Sequence, residues 1–439
     1  MSDRRPVISP ATDWPVRPLG ELVTLIRRGT APVYVDDSDV KAVGQRCVTD
    51  SDFDASWARP HSARAMARTL KPELGDVLIN STGAGTIGRS VVFREDGARY
   101  MVDGHVTVAR PCENDLIGRW LSDVLRSPQG QRYLEARCYA GSTNQIELSS
   151  SALAAMPVAV PAVDEQRRVA EVLETLDDQI RLIESTASKL RAVFVGLLTQ
   201  LMTRGVRPDS AALGDAVLES GKTTIRLPKR WTVEPISRVL ASVDPAMRSG
   251  PFGSALLKHE LVESGIPLLG IDNVHVDRFV SDFQRFVTPA KAAELSRYRV
   301  RPADVMITIM GTVGRSCLVP EDIGLALSSK HVWTLTFDEA RYRPYLVSLQ
   351  LNHAPWARAQ LRRDEQGGIM SAIRSDTLKT LMLPTPPIDE QLEIETILKT
   401  VDSKIDSEEK TLQKLRTLKA GLVEDLLTGR VRVPAEVAS

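Results

Sequence analysis

The stretch Met156-Pro157-Val158-Ala159-Val160-Pro161-Ala162-Val163-Asp164-Glu165-Gln166 opens a run that meets no further Gly or Pro until Gly196. A second copy begins Leu383-Pro384-Thr385-Pro386-Pro387-Ile388-Asp389-Glu390-Gln391, its Asp-Glu-Gln standing 225 residues after the first. The first copy closes on Leu-Met-Thr-Arg-Gly-Val-Arg and the second on Leu-Leu-Thr-Gly-Arg-Val-Arg. A repeat of this length implies two large modules, not a solenoid of small ones.

Within the first copy, Val169, Leu173, Leu176, Ile180, Ile183, Ala187, Leu190, Phe194, Leu197 and Leu201 alternate spacings of four and three, the signature of a coiled-coil seam. The second copy places Ile394, Leu398, Val401, Ile405, Glu408, Leu412, Leu415, Lys419, Leu422 and Leu426 at the same steps, two of them polar. A helix from Asp164 to Thr203 would be roughly 60 Å long at about 1.5 Å per residue, too long to bury its stripe on one compact domain. The other copy is the nearest partner. The alternative is one long surface helix in each half, packed separately.

At 439 residues the chain has room for two or three domains. It has no apolar run of eighteen residues and no signal peptide at Met1-Ser2-Asp3-Arg4-Arg5, so a soluble, cytoplasmic protein without a membrane partner is expected. Cys47, Cys112, Cys138 and Cys317 lack paired short spacings, which argues against a zinc site and for reduced thiols. The net charge of zero hides a distribution, because residues 217–380 carry 22 basic and 17 acidic side chains while residues 381–439 carry 8 and 11. Phosphate contacts depend on local Lys and Arg, so neutrality of the whole does not exclude nucleic acid.

The modules themselves are repeated. Trp14-Pro15-Val16 answers Trp231-Thr232-Val233, Gly75-Asp76-Val77-Leu78-Ile79 answers Ala303-Asp304-Val305-Met306-Ile307, and Gly85-Thr86-Ile87-Gly88-Arg89-Ser90 answers Gly311-Thr312-Val313-Gly314-Arg315-Ser316. Short β-rich runs at Val77–Asn80, Ser90–Phe93 and Tyr100–Val102, with helical stretches at Leu116–Ser127 and Tyr345–Leu361, predict an α+β module with a mostly antiparallel curved sheet. Gly205–Lys229, polar and broken by Gly and Pro, reads as a connecting segment. The expected domains are residues 1–163 and 208–388, each followed by a long helix, at 164–207 and 389–439.

Gly83-Ala84-Gly85-Thr86-Ile87-Gly88 spells the dinucleotide-binding GxGxxG, but Arg89-Ser90-Val91-Val92-Phe93 has strand composition where that motif needs a helix, and Ile309 replaces the first Gly in the second copy. A tight turn between strands is the better reading. Arg89 and Arg315 after that turn suit a phosphate or guanine contact, or equally an ion pair with Asp76 or Asp304. His105 and His331 lie in apolar, strand-like surroundings and read as core residues more than ligands. Arg27, Arg28, Arg59 and Arg64, the loop residues Thr143 and Asn144, and Arg248, Ser249, Ser254, Lys258 and Asn273 supply the cations, hydroxyls and amides of phosphate and base contacts. Solvated loops share that composition. There is no GxxxxGK[ST], no recognisable Ser or Cys nucleophile and no Asn-Pro-Pro-aromatic tetrapeptide.

Taken together, the doubled Pro-rich strand with Asp-Glu-Gln, the Trp-x-Val openings, the Gly-Thr-x-Gly-Arg turns, Ser249-Gly250-Pro251-Phe252-Gly253-Ser254 and Gly265-Ile266-Pro267-Leu268-Leu269-Gly270-Ile271-Asp272-Asn273-Val274 closely resemble the specificity subunit of type I restriction–modification systems. The resemblance implies two target-recognition domains reading the halves of a bipartite, asymmetric double-stranded DNA site, with two helices pairing antiparallel to fix the spacer and dock partners. It implies a non-catalytic chain without a cofactor of its own. Two modification subunits would use S-adenosylmethionine to methylate adenine, and restriction subunits would use ATP and Mg to cleave. A coiled-coil scaffold without DNA affinity and a nucleotide-binding enzyme are the competing classes.

Overall fold

The computed structural model describes residues 7, 14–141, 146–206, 213–218, 223–362 and 372–434. They form two compact units, Met1–Ser185 with Glu409–Ser439 and Thr186–Glu408, so that each long helix belongs partly to each.

In the first unit the apolar run Val77–Asn80 is a fully buried strand lying between Val106–Pro111 and Ser90–Val92, antiparallel to both, with Val23–Arg28 beyond Val106–Pro111. A second sheet pairs Lys41–Val43 antiparallel with Arg59–Pro60 and parallel with Tyr100–Val102. The second unit repeats the plan. Met247–Ser249, Val332–Leu335, Val305–Thr308 and Ser316–Leu318 lie in the same order, all antiparallel, and Ile266–Leu269 runs parallel to Ala326–Ser328 in the other sheet. In each module the strand after the opening Trp pairs with the Pro-rich strand that precedes the long helix, at Val16–Pro18 with Pro157–Ala159 and Thr232–Pro235 with Met382–Thr385. The α+β class with mixed and antiparallel sheets is therefore what forms.

Three local expectations change. The helical run Tyr345–Leu361 is two helices, Pro344–His353 and Pro355–Leu361, because Pro355 has no N–H to donate and drives Ala354 out of the helical region, to φ −74° and ψ 126°. The polar segment before the second module contains a hairpin, Leu213–Leu218 with Thr223–Pro228. His105 is exposed, not core, and His331 is half-buried.

The long helices span Val163–Arg204 and Ile388–Thr428. All twenty seam positions are buried or half-buried, including Leu176, Ile180, Ile183, Leu190, Leu412 and Leu415. In the first unit Val169 and Leu173 share a core with Leu426 and Leu427. In the second, Phe194, Leu198 and Leu201 share one with Ile394, Leu398 and Ile405, flanked by Leu190 and Val401. The start of each helix thus meets the end of the other, which is antiparallel pairing. Just past the helix ends, Gly205 and Gly429 adopt φ of 77° and 71°, the left-handed conformation that ends a helix and that only Gly takes without strain. Of the polar seam residues, Glu408 pairs with Lys404 at 2.8 Å along its own helix, and Lys419 pairs with Asp177. No helix among the described residues is long and apolar enough to cross a membrane.

The repeated Asp-Glu-Gln has a structural cause. Gln166, fully buried, donates Nε2 to the carbonyls of Asp115 at 2.8 Å and Pro161 at 2.9 Å, and accepts from the Ile117 N–H at 3.0 Å. Gln391 makes the same three bonds, to Arg341 at 3.1 Å, Pro386 at 2.8 Å and from Arg343 at 2.8 Å. One amide therefore locks the helix start to its module. Gln391→Met would strand an N–H and two carbonyls at about 1–3 kcal/mol per buried group, softened by relaxation. A loss of about 3 kcal/mol in urea unfolding is expected, with Gln166→Met matching it within about 1 kcal/mol. A neutral substitution would show that the clasp contributes nothing.

Candidate nucleic-acid interface

The glycine-rich turns do join antiparallel strands. Gly83, Gly85 and Gly88 have φ of 98°, 78° and 82°, Gly311 and Gly314 have 74° and 83°, and each turn leads into a strand, at Ser90–Val92 or Ser316–Leu318. A dinucleotide-binding helix start is thereby excluded. Neither Arg after the turn pairs with the preceding aspartate. Asp76 holds Arg110 with two bonds of 2.9 Å, and Asp304 is occupied by Arg248, Thr336 and the Arg301 N–H. Arg89 instead meets the exposed Asp50 at 2.7 Å. Arg315, half-buried, has no carboxylate partner among the described residues and faces a cavity of about 390 Å³ with Arg358 and Arg362.

Three candidates drawn from sequence are corrected. Arg248 is a core residue, its side chain 1% exposed against Asp304 at 0%, so its guanidinium is committed inside the fold. Asn273 is also buried, bracing its own loop through Gly270 N at 2.9 Å, Val280 O at 2.9 Å and Asp282 O at 3.2 Å. Ser249 is buried and donates to Lys330 O at 3.3 Å. Arg28 is half-buried and paired with Glu147 at 2.8 Å. Arg27, Arg64, Ser254 and Lys258 are exposed. Thr143 and Asn144 lie outside the described residues.

Arg59 lies over the Tyr34 ring at 3.8 Å, and Arg46 lies at 3.4 Å over Trp57, two residues before Arg59 in the chain. Both rings are exposed, and planar cations stacked on them form a surface of the kind that meets bases and phosphates. Sequence reading missed both stacks, because Arg46 and Trp57, like Tyr34 and Arg59, are brought together only by the fold. In the second module the rim is different, with the exposed Lys258 and Lys330 and the half-buried Arg285 and His331 around a cavity of about 280 Å³. Burial, reinforced by Lys330 and Arg285, holds the His331 imidazole below its usual pKa. Among the described residues no group of His, Cys, Asp and Glu could hold a metal ion. Burial pushes the thiols of Cys47 and Cys138 up to about 11, and that of Cys317 to about 12, far from nucleophilic thiolates.

A doubled module on paired helices with basic rims suits a DNA-reading class of protein. The chain belongs to the family of the type I restriction modification DNA specificity domain, whose model matches residues 11–192 and 285–417. It is similar to the putative type I restriction enzyme MjaX specificity subunit of Methanocaldococcus jannaschii, 21% identical over 431 residues covering 96% of this chain and 94% of that protein. The type I restriction enzyme EcoBI specificity subunit of Escherichia coli is 21% identical over 289 residues, 65% of this chain and 60% of its own. In fold it resembles the type I restriction-modification S subunit from M. genitalium, with a TM-score of 0.57 at 14% identity over 95% of this chain and 99% of that one. A chain from work on complex assembly and conformational transition of the type I R-M system gives 0.55 at 15% identity, over 96% and 100%. DNA sequence specificity within a type I restriction-modification system is the function this family carries.

Proposed function

We propose that each module reads one half of a bipartite, asymmetric duplex site, that the paired helices set the distance between halves and dock modification subunits, and that all covalent chemistry belongs to partners. Methyl transfer from S-adenosylmethionine would sit on two modification subunits, and ATP- and Mg-dependent cleavage on restriction subunits. The chain itself would act without a cofactor, in the cytoplasm. The observation that carries this reading is a repeated scaffold with unlike rims. Strand order, the buried Gln clasp and the turn Arg recur in both modules. The Arg59–Tyr34 and Arg46–Trp57 stacks occur in the first, while Lys258, Arg285 and Lys330 line the second. Scaffold kept and surface changed is what two different half-sites require.

The test is to replace residues 1–163 by the corresponding segment of a relative and map the methylated site of the assembled complex. The expected outcome is a new sequence in one half-site with the other half and the spacer unchanged. A change in both halves would overturn independent reading.

A further inference from the structure

We propose that Arg315, Arg358 and Arg362 form a grip for the phosphate backbone of duplex DNA in the second module. This rests on the DNA reading above and assigns it a contact that carries no sequence information.

The cavity beside Arg315 is bounded by Val276, Val313, His353 and Leu361 as well as the three arginines, and among the described residues no carboxylate lines it. Asp277, next in the chain to the lining residue Val276, is already bound to His353 and, at 2.7 Å, to Asn352. Some other arginines of this module are matched to acids, as Arg230 is to Glu390 and Arg343 to Glu395. Arg315, Arg358 and Arg362 have no carboxylate partner among the described residues. Arg315 is set by the turn, its N–H donating to Thr308 Oγ1 at 3.0 Å. Arg358 and Arg362 stand one helical turn apart at the end of Pro355–Leu361, where like charges repel unless something anionic lies between them. Arg362 Nε reaches the Arg358 carbonyl at 3.4 Å, so a helix-capping role is the competing explanation for that one residue.

Why phosphate and not base follows from charge, because three guanidiniums lining one space without a carboxylate partner among the described residues call for an anion, and a base edge carries no charge, while the repeat shows which module keeps that space open. Offset by 226 residues, Ser90 and Ser122 map onto Ser316 and Ser348, whose hydroxyls meet at 3.3 Å and 3.0 Å respectively. The same offset maps Arg89 onto Arg315 and Arg132 onto Arg358. In the first module the corresponding space is filled by Tyr139, which donates to Ile87 O at 3.1 Å, and by Gln131, and Arg89 is taken by Asp50. The open grip is thus a feature of the second module.

The experiment measures affinity of the full chain, alone and assembled with its modification subunits, for duplexes differing at single base pairs, across a salt series. Arg315→Ala and Arg358→Gln should each weaken binding to every duplex by the same factor and lower the slope of log affinity against log salt by about one. Arg89→Ala should change the slope less. Loss confined to one base pair would overturn the grip in favour of base reading, and an unchanged slope in both variants would overturn it while leaving the DNA reading intact. Wild-type protein that binds no duplex in either form would overturn that reading itself. Arg358 is exposed, so its variant remains informative if Arg315→Ala fails to fold. Protection of the wild type from heat by free ATP, lost in Arg358→Gln while duplex binding stays normal, would assign the cavity to a free nucleotide and overturn the proposal.

Discussion

Asp304→Ala is expected to cost the second module about 3–5 kcal/mol, the range for removing one partner of a buried ion pair. Its carboxylate accepts from Arg248, from Thr336 Oγ1 at 2.5 Å and from the Arg301 N–H at 2.7 Å. Arg248 spends its other donors on Arg299 O at 2.6 Å and Thr336 Oγ1 at 2.9 Å, with nowhere to find water. Burial pushes the Asp304 carboxyl up and the Arg248 guanidinium down; Asp304 opposes the shift at Arg248, and Arg248, helped by Thr336 and Arg301, opposes the one at Asp304. The first module provides the control. Asp76 is equally buried, but its partner Arg110 is 25% exposed and also bonds Glu73 at 2.6 Å. After Asp76→Ala, Arg110 keeps water and a second acid, so about 1–3 kcal/mol is expected there. Equal losses for the two variants in urea unfolding would show that burial of Arg248 is not the source.

The same comparison shows what a sequence discloses. The four-and-three alternation was legible because a helix brings such positions onto one face, and every seam position is at least half-buried. Val77–Asn80 and Tyr100–Val102 were legible because apolar runs bounded by turns are local signals. Arg248 was misread because its environment is not local. By strand register it stands where Arg27 stands in the first module, opposite Thr334 as Arg27 is opposite Val108, yet Arg27 is exposed. The buried aspartate corner draws its cation from the edge strand in one module, Arg248, and from the neighbouring inner strand in the other, Arg110. The Gln clasp escaped for a related reason. Its repetition was plain, but its partners on the module, the carbonyls of Asp115 and Arg341, lie about fifty residues away and are backbone atoms, which carry no residue signature.

Asp177 decides whether the polar seam residue Lys419 is a defect or a device. Asp177 takes Lys419 from the second helix and, at 2.6 Å, Arg119 from the module, and all three side chains are mostly buried. Burial alone would raise the Asp177 carboxyl, but hydrogen bonds from Lys419 and Arg119 outweigh it and hold the group below the usual carboxylate range. A carboxylate depressed in the folded state adds stability above its unfolded value of about 3.9 and loses it as pH falls through the depressed value. Asp177→Asn should therefore cost about 3 kcal/mol at neutral pH, moderated because Arg119 retains Asp123 at 2.8 Å. The gap between wild type and variant should hold above about pH 5 and shrink below about pH 4. A gap that persists undiminished into acid would place the loss in packing, not charge. Lys419→Leu alone should also destabilise, since Asp177 keeps only Arg119. Adding Asp177→Asn to it removes the uncompensated charge and restores an apolar seam, so the double variant should recover much of the loss, a coupling that two independent substitutions would not show.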